Sequence, residues 1–370
     1  MTDKTIIERT AREYIERLVL SSDPLNPKWN RENFIFRKQP KWNYMDGCMI
    51  RALLMYGGER YIAYAARFTD SYVDADGVIP TMNASDFNLD NICGGMNLIK
   101  LHELTGCERY RKAYERLYSG QLSVQPRLEC GSFWHKAIYP NQMWLDGAYM
   151  ALPFLASYGK LKGDRAIISD ALSQVRNIRL IMRDEKTGLY FHGYSEDRKM
   201  FWADCETGLS KEFWLRSNGW LCAGLADLYE ITWDCEVGEM LRELADSLSL
   251  CLTDEGMLLQ LPARPEHEKN YPETSGTLLY AYGAMKGYRL GTLGKDSAEL
   301  GKAALSAVTE KYTDRSGDIP VLKNICLMGG LGGVENRDGS AEYYLSERIV
   351  ENEAKGIAPY LMAAYELSQN

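Results

Sequence analysis

The sequence predicts an all-α protein in which six inner helices are closed into a ring inside six outer ones. Three observations point there: two kinds of helical stretch alternate, a short turn signature recurs after the striped kind, and long aromatic loops precede the other kind. Charged, one-sided helices are expected near 4–20, 60–73, 109–122, 165–182, 237–252 and 298–311, where apolar residues recur at helical spacing, as in Met240, Leu241, Leu244, Leu248 and Leu252. Helices apolar nearly all round are expected near 43–56, 90–104, 144–158, 218–231, 275–288 and 356–367. A striped helix faces water on one side, whereas an all-round apolar helix is buried. The turn signature is an acid, a glycine and an apolar residue. It appears at Asp76-Gly77-Val78, again from Asp184 to Gly188-Leu189, at Glu255-Gly256-Met257, and from Asp314 through Gly317 to Ile319. Repetition at such intervals marks stacked supersecondary units. An open solenoid would share it, but its end units need a polar capping face that this chain lacks. The expected organisation is therefore a single domain over residues 1–370, although a size prior of roughly 150 residues per domain suggests two or three.

Composition excludes several classes of function. The chain carries 43 basic and 51 acidic residues, a formal charge of −8, without a Lys/Arg run, so neither a nucleic acid nor a membrane surface is an expected partner. No apolar run reaches the ~18 residues of a membrane span. The start, Met1-Thr2-Asp3-Lys4, has an acid where a signal peptide needs a basic end, which predicts a cytoplasmic protein. Nine cysteines show no C-x-x-C pair and four histidines no H-E-x-x-H frame. Reduced thiols are expected, with no metal and no cofactor. All eight tryptophans lie between Trp29 and Trp233, a skew that suits a cleft lined for sugar rings and equally a core weighted to that part of the chain.

If the inner helices start at one end of the ring, the polar residues at those starts converge. Asp90 and Asp146 are the candidates for acid and base work. An Asp before a helix also serves as an N-cap, and both roles are open for Asp90. Asp146 lies in the apolar stretch between Trp144 and Tyr149, where a carboxylate is costly to desolvate unless paired or used. Burial beside aromatics is expected to raise its pKa, as a general acid requires. Arg216 and the pair His135-Lys136 are expected to place positive charge in the same mouth, suited to a small anionic ligand. A salt bridge from Arg216 to Asp204 or Glu212 is the competing reading, and His192 equally fits an ordinary loop histidine. The run Gly329-Gly330-Leu331-Gly332-Gly333 lacks the Lys-Ser/Thr ending of a phosphate loop and is expected as a mobile loop near the cleft.

These stretches resemble glycoside hydrolase family 105, the unsaturated rhamnogalacturonyl hydrolases. The resemblance is carried by Phe133-Trp134-His135-Lys136, by Tyr139-Pro140-Asn141-Gln142-Met143-Trp144-Leu145-Asp146-Gly147 and by Leu189-Tyr190-Phe191-His192-Gly193. It continues through Trp214-Leu215-Arg216-Ser217-Asn218-Gly219-Trp220, Thr274-Ser275-Gly276-Thr277 and Arg337-Asp338-Gly339-Ser340 with Glu342-Tyr343-Tyr344-Leu345-Ser346, ending near Lys355-Gly356, in order over roughly nine-tenths of the chain. It implies a six-hairpin (α/α)6 toroid that removes a terminal 4,5-unsaturated uronic acid from lyase-generated oligosaccharides, such as a rhamnogalacturonan disaccharide. Water would add across the C4=C5 double bond, with Asp146 protonating C4 and then activating the water for C5. By position, Asp90 would bind sugar hydroxyls and assist. Asn43, Tyr44, His135, Lys136, Tyr139, His192, Trp214, Arg216 and Trp220 would form the uronate subsite. Unsaturated galacturonate is the expected sugar. An unsaturated glucuronyl hydrolase is the nearest alternative, followed by a sugar 2-epimerase built on a histidine pair and by a non-catalytic sugar-binding toroid.

Overall fold

The computed structural model describes residues 3–333 and 337–369. Its helices are α1 (Asp3–Glu13, continued by a π-helical turn over Tyr14–Val19), α2 (Arg31–Phe36), α3 (Tyr44–Tyr56), α4 (Glu59–Asp70) and α5 (Gly95–Thr105). Then follow α6 (Glu108–Gly120), α7 (Asp146–Lys162), α8 (Arg165–Met182), α9 (Leu215–Thr232) and α10 (Cys235–Ser249). The last are α11 (Thr274–Arg289), α12 (Lys295–Lys311), α13 (Ala341–Ser346) and α14 (Ala354–Gln369). In the inner ring α3, α5, α7, α9, α11 and α14 pack in sequence, and α14 returns to α3 to close it. Helices α1, α4, α6, α8, α10 and α12 form the outer ring. The protein is an (α/α)6 toroid, and α2 and α13 are short additions at one end.

Sequence chemistry explains the two rings. In α9 every residue from Leu215 to Leu228 is buried, and in α11 every residue from Thr274 to Gly287. The outer α10 buries only Val237, Gly238, Met240, Leu241, Leu244, Ala245 and Leu248, one stripe. Two of the recurrent turn glycines share a further logic. Gly77 and Gly188 adopt left-handed backbone (φ +72° and +70°), and each sits against the next outer helix, Gly77 on Lys112–Ala113 and Gly188 on Ser247. Gly317 in the fourth turn does not adopt positive φ.

The structure departs from expectation at two inner starts. Residues 89–92 form a 3-10 turn capped by the Asn88 side chain, and α5 begins only at Gly95, beyond a Gly94 whose missing Cβ leaves room for the Trp42 ring. Residues 142–144 are a strand, β1 (Gln142–Trp144), paired antiparallel with β2 (Gly193–Ser195), so the third inner helix starts at Asp146. Two other pairs, β3 (Thr313–Asp314) with β4 (Val321–Leu322) and β5 (Ile325–Cys326) with β6 (Ile349–Val350), shape loops at the ring's ends. No helix among the described residues is long and apolar enough to cross a membrane.

Inner helices approach closely through small residues. A Cβ on Gly224 of α9 would lie 3.2 Å from the Tyr149 Cα of α7, a backbone atom that cannot swing aside. Gly224→Val is expected to cost about 1–3 kcal/mol, read as a lower urea midpoint with an unchanged m-value.

Candidate active site

The starts of α3 and α7 and the turn before α5 line a cavity of ≈ 230 Å³, while the starts of α9, α11 and α14 do not reach it. Its wall includes Trp42, Tyr44, Asp90, Lys136, Trp144 and Asp146, with His135 and Tyr139 beside them and the backbone of Gly329 and Gly330 as one edge. A larger cavity of ≈ 320 Å³ opens among the later turns of α3, α9, α11 and α14, with Met96, Asn97 and Lys100 of α5 beside them. Volume does not decide between them; the charges do. At the far end Asp227 binds Arg51 (2.8 Å) and Lys286 (2.6 Å), and Arg289 binds Glu230 (3.0 Å) and Glu366 (2.7 Å), a set of mutual partners. The smaller cavity holds the convergent acids and bases.

Asp146 is placed by the β1–β2 pair. Trp144 lies opposite Gly193, and the Leu145 amide donates to the His192 carbonyl (3.0 Å), which brings the histidine beside the first residue of α7. His192 Nε2 is 3.1 Å from Asp146 Oδ2, and its Nδ1 is 2.7 Å from the Tyr344 hydroxyl. Burial pushes the Asp146 carboxyl up, but the His192 hydrogen bond, the two nearby imidazoles and the Arg216 guanidinium outweigh it and hold the group below the usual carboxylate range. The expected upward shift is therefore corrected: aromatic surroundings alone would raise it, and the cationic and hydrogen-bonding neighbours reverse the sign.

Asp90 is not an N-cap. It lies inside the 3-10 turn, whose capping side chain is Asn88, and its carboxylate is free to meet Lys136 Nζ at 2.6 Å. Burial lowers the Lys136 ammonium, but Asp90 more than compensates and raises it. His135 Nε2 is 3.7 Å from Asp90, and its ring stacks on Trp144 with centroids 4.6 Å apart. Burial pushes this imidazole down to about 4. His135 is thus neutral at neutral pH, and the expected basic cluster reduces to Lys136 and Arg216.

The remaining candidates divide between wall and support. Tyr44 lines the cavity, with Lys355 Nζ 5.8 Å from its ring centre; that lysine is clamped between Glu32 (2.9 Å) and Glu353 (2.8 Å). Asn43 also lines it, but its side chain is committed to local structure. Its Oδ1 accepts from the Asp46 amide, and its Nδ2 donates to the Lys41 carbonyl and to Asp46 Oδ2 (2.6 Å). Tyr139 stacks on Trp144 at 4.8 Å. Trp214, Arg216 and Trp220 are not in the lining. Arg216 is buried under it, donating to Ser275 Oγ (3.3 Å) and to the Cys326 carbonyl, 4.6 Å from the Trp214 ring. Neither expected salt-bridge partner holds it: Glu212 pairs with Arg264, and Asp204 caps its own turn at Thr207. Trp214 lies behind His192 (4.9 Å), and Trp220 packs on Tyr149 (4.6 Å). The resemblance includes Tyr344 in its last matching stretch but implies no role for it, and its link to His192 spans 152 positions.

Among the described residues, three carboxylates line this cavity. Glu32 is bound by Lys38 and Lys355, and Asp90 by Lys136. Asp146 alone has no lysine or arginine salt bridge, only the imidazole. The arrangement can offer one carboxyl that exchanges a proton with a bound molecule, next to fixed positive charge. No group of three His, Cys, Asp or Glu among the described residues is placed to hold a metal ion.

Residues 16–370 match the family model described as Glycosyl Hydrolase Family 88. A family 105 glycoside hydrolase from C. acetobutylicum ATCC 824 superposes with a TM-score of 0.88 at 30% identity, over 99% of each chain. Protein Atu3128 of Agrobacterium fabrum (strain C58 / ATCC 33970) is 35% identical over 229 residues, 59% of this chain and 97% of that one. The unsaturated rhamnogalacturonyl hydrolase YesR of Bacillus subtilis (strain 168) is 26% identical over 182 residues, 47% of this chain and 49% of YesR.

Under the cavity floor, burial pushes the Asp46 carboxyl up to about 7, against hydrogen bonds from Trp29 (2.8 Å) and Asn43 and with the charge of Glu353 adding to the rise. A carboxyl raised on folding contributes stability that is complete below its unfolded value and is lost as pH rises through about 7. Asp46→Asn, which cannot ionise, is expected to narrow its melting-temperature deficit, or overtake the wild type, between pH 4 and pH 8. Parallel melting curves across that range would refute the assignment.

Proposed function

The chain belongs to the glycoside hydrolases of families 88 and 105, and from that membership we propose that it releases a terminal 4,5-unsaturated uronic acid from lyase-generated oligosaccharides, with unsaturated galacturonate as the preferred sugar. The observation that carries the reading is Asp146: one cavity carboxyl without a cationic side-chain salt bridge, facing a space of the order of a single sugar ring. Hydrolysis at the anomeric carbon usually needs two carboxyl groups flanking the bond. Hydration of an enol ether needs one that gives a proton and takes one back.

The steps follow from that requirement. The C4=C5 electron pair takes a proton from Asp146, forming the C4–H bond and leaving a cation at C5 shared with the ring oxygen. Water attacks C5 and passes a proton to the Asp146 carboxylate, which restores the acid. The net change is addition of H and OH across the double bond. The hemiketal at C5 then opens, and the leaving sugar departs with its oxygen protonated. Lys136 and the underlying Arg216 set a positive potential for the uronate carboxylate, and Asp90 accepts from sugar hydroxyls while bound to Lys136.

The depressed Asp146 carboxyl fits this cycle when substrate is counted. In the empty cavity its neighbours favour the ionised form. A bound uronate brings a like charge and excludes water, and both effects favour the protonated acid. Substrate binding and proton uptake are therefore coupled.

The reading is tested by following the ultraviolet absorbance of the double bond in unsaturated galacturonyl-rhamnose. Absorbance should decay with the wild type, and Asp146→Asn should slow the decay by roughly 10²–10⁴-fold. In deuterated water the product should carry deuterium at C4. Faster decay with an unsaturated glucuronyl disaccharide would move the preference to the glucuronyl sugar. Persistent absorbance with both substrates would sink the reading altogether.

A further inference from the structure

We propose that Tyr344 is a positioning residue whose hydroxyl, donated to Nδ1 of His192, keeps the imidazole proton on Nε2, so that Oδ2 of Asp146 is held by the histidine and Oδ1 carries the reaction. The proposal rests on Asp146 as the acid and base of the reading above, and it adds the group that decides which of its oxygens acts.

The argument is one of donors and acceptors. Tyr344 and His192 are both fully buried, and the hydroxyl lies 2.7 Å from Nδ1. Among the described residues Nδ1 is the one hydrogen-bond partner of that hydroxyl. A neutral imidazole has one N–H and one acceptor nitrogen. If Nδ1 carried the proton, the phenolic hydrogen would be a buried donor with nowhere to go, which is the costly arrangement. If the phenol donates, Nδ1 is the acceptor, Nε2 carries the hydrogen, and it points at Asp146 Oδ2 at 3.1 Å. Every group is then satisfied. Oδ1 has no protein hydrogen bond among the described residues and is not sealed from the cavity that Asp146 lines.

The scaffold around the three groups holds this geometry. Trp214 lies against His192 (4.9 Å) and stacks on Tyr344 (5.8 Å, 17° between planes). Gln260 ties the stack together, accepting from Trp214 Nε1 and donating to the Tyr344 carbonyl, both at 3.2 Å. The Gly329 backbone covers the Trp214 ring so closely that a Cβ there would stand 2.6 Å from it. In the other tautomer Nε2 would accept from a protonated Oδ2, and the reactive proton would be trapped on the side away from the sugar.

Nitrogen NMR of the full chain with labelled histidine reads the tautomer directly, and His192→Gln assigns its signals among the four histidines. At mildly alkaline pH the wild type should show His192 protonated at Nε2, and Tyr344→Phe should populate the Nδ1-protonated form. On the unsaturated disaccharide, Tyr344→Phe should lose roughly ten- to a hundredfold in kcat while KM changes less than about twofold. An Nδ1-protonated His192 in the wild type overturns the proposal, as does a Phe variant with unchanged tautomer or unchanged kcat. If the wild type acts on no unsaturated uronide, the functional reading fails, and the wild-type tautomer still decides the role of Tyr344.

Discussion

The rest of the structure depends on a single constraint: an inner helix of a closed double ring has neighbours on every side. It has no stripe to turn toward water, so its polar groups must be paired within the ring or placed at its ends. In α9, Asp227 is the buried acid along the helix, and it is met by both Arg51 of α3 and Lys286 of α11. Elsewhere the polar chemistry collects at the helix ends: Arg289, Glu230 and Glu366 pair with one another at the far side, and the candidate site forms at the starts, where loops can bring further donors. The site follows from this exclusion of polarity from the helix bodies.

Within the mouth, charge is arranged so that most of it is already paired. Lys136 neutralises Asp90, and Lys355 stands between Glu32 and Glu353. Glu32, pushed up by burial, is pulled down to about 2 by that lysine and Lys38. These pairs hold the wall in place and leave Asp146 as the group whose proton is set by an imidazole and by whatever occupies the cavity. His135, neutral and stacked on Trp144, contributes shape more than charge.

Much of this was legible in the residues. The two helix classes are local patterns, and their observed bounds fall within a few positions of expectation except at the second inner start, where a 3-10 turn precedes α5. Asp146 stood out because a carboxylate in aromatic surroundings needs a reason, and Asp90 and Lys136 because they fall at or beside an expected inner-helix start. The support was not legible. That Asn43 spends its amide on Asp46, and that Trp220 faces Tyr149, are facts of tertiary geometry. The sign of the Asp146 shift turns on His192 and Arg216, which arrive from other hairpins. Tyr344 reaches His192 only because α13 folds back over Trp214.

Among the described residues the candidate cavity and the far one share no lining residue, and side chains such as Tyr149 and Trp220 are buried in the ring's interior. Packed side chains thus stand between the far cavity and the candidate one. On the proposed function nothing can thread through it, and a polymer can present only its tip. Throughput is then counted in chain ends and not in mass of polysaccharide, so each scission by an internally cutting lyase multiplies the work available to this protein. On that function product would also back out by the mouth through which the next sugar comes in.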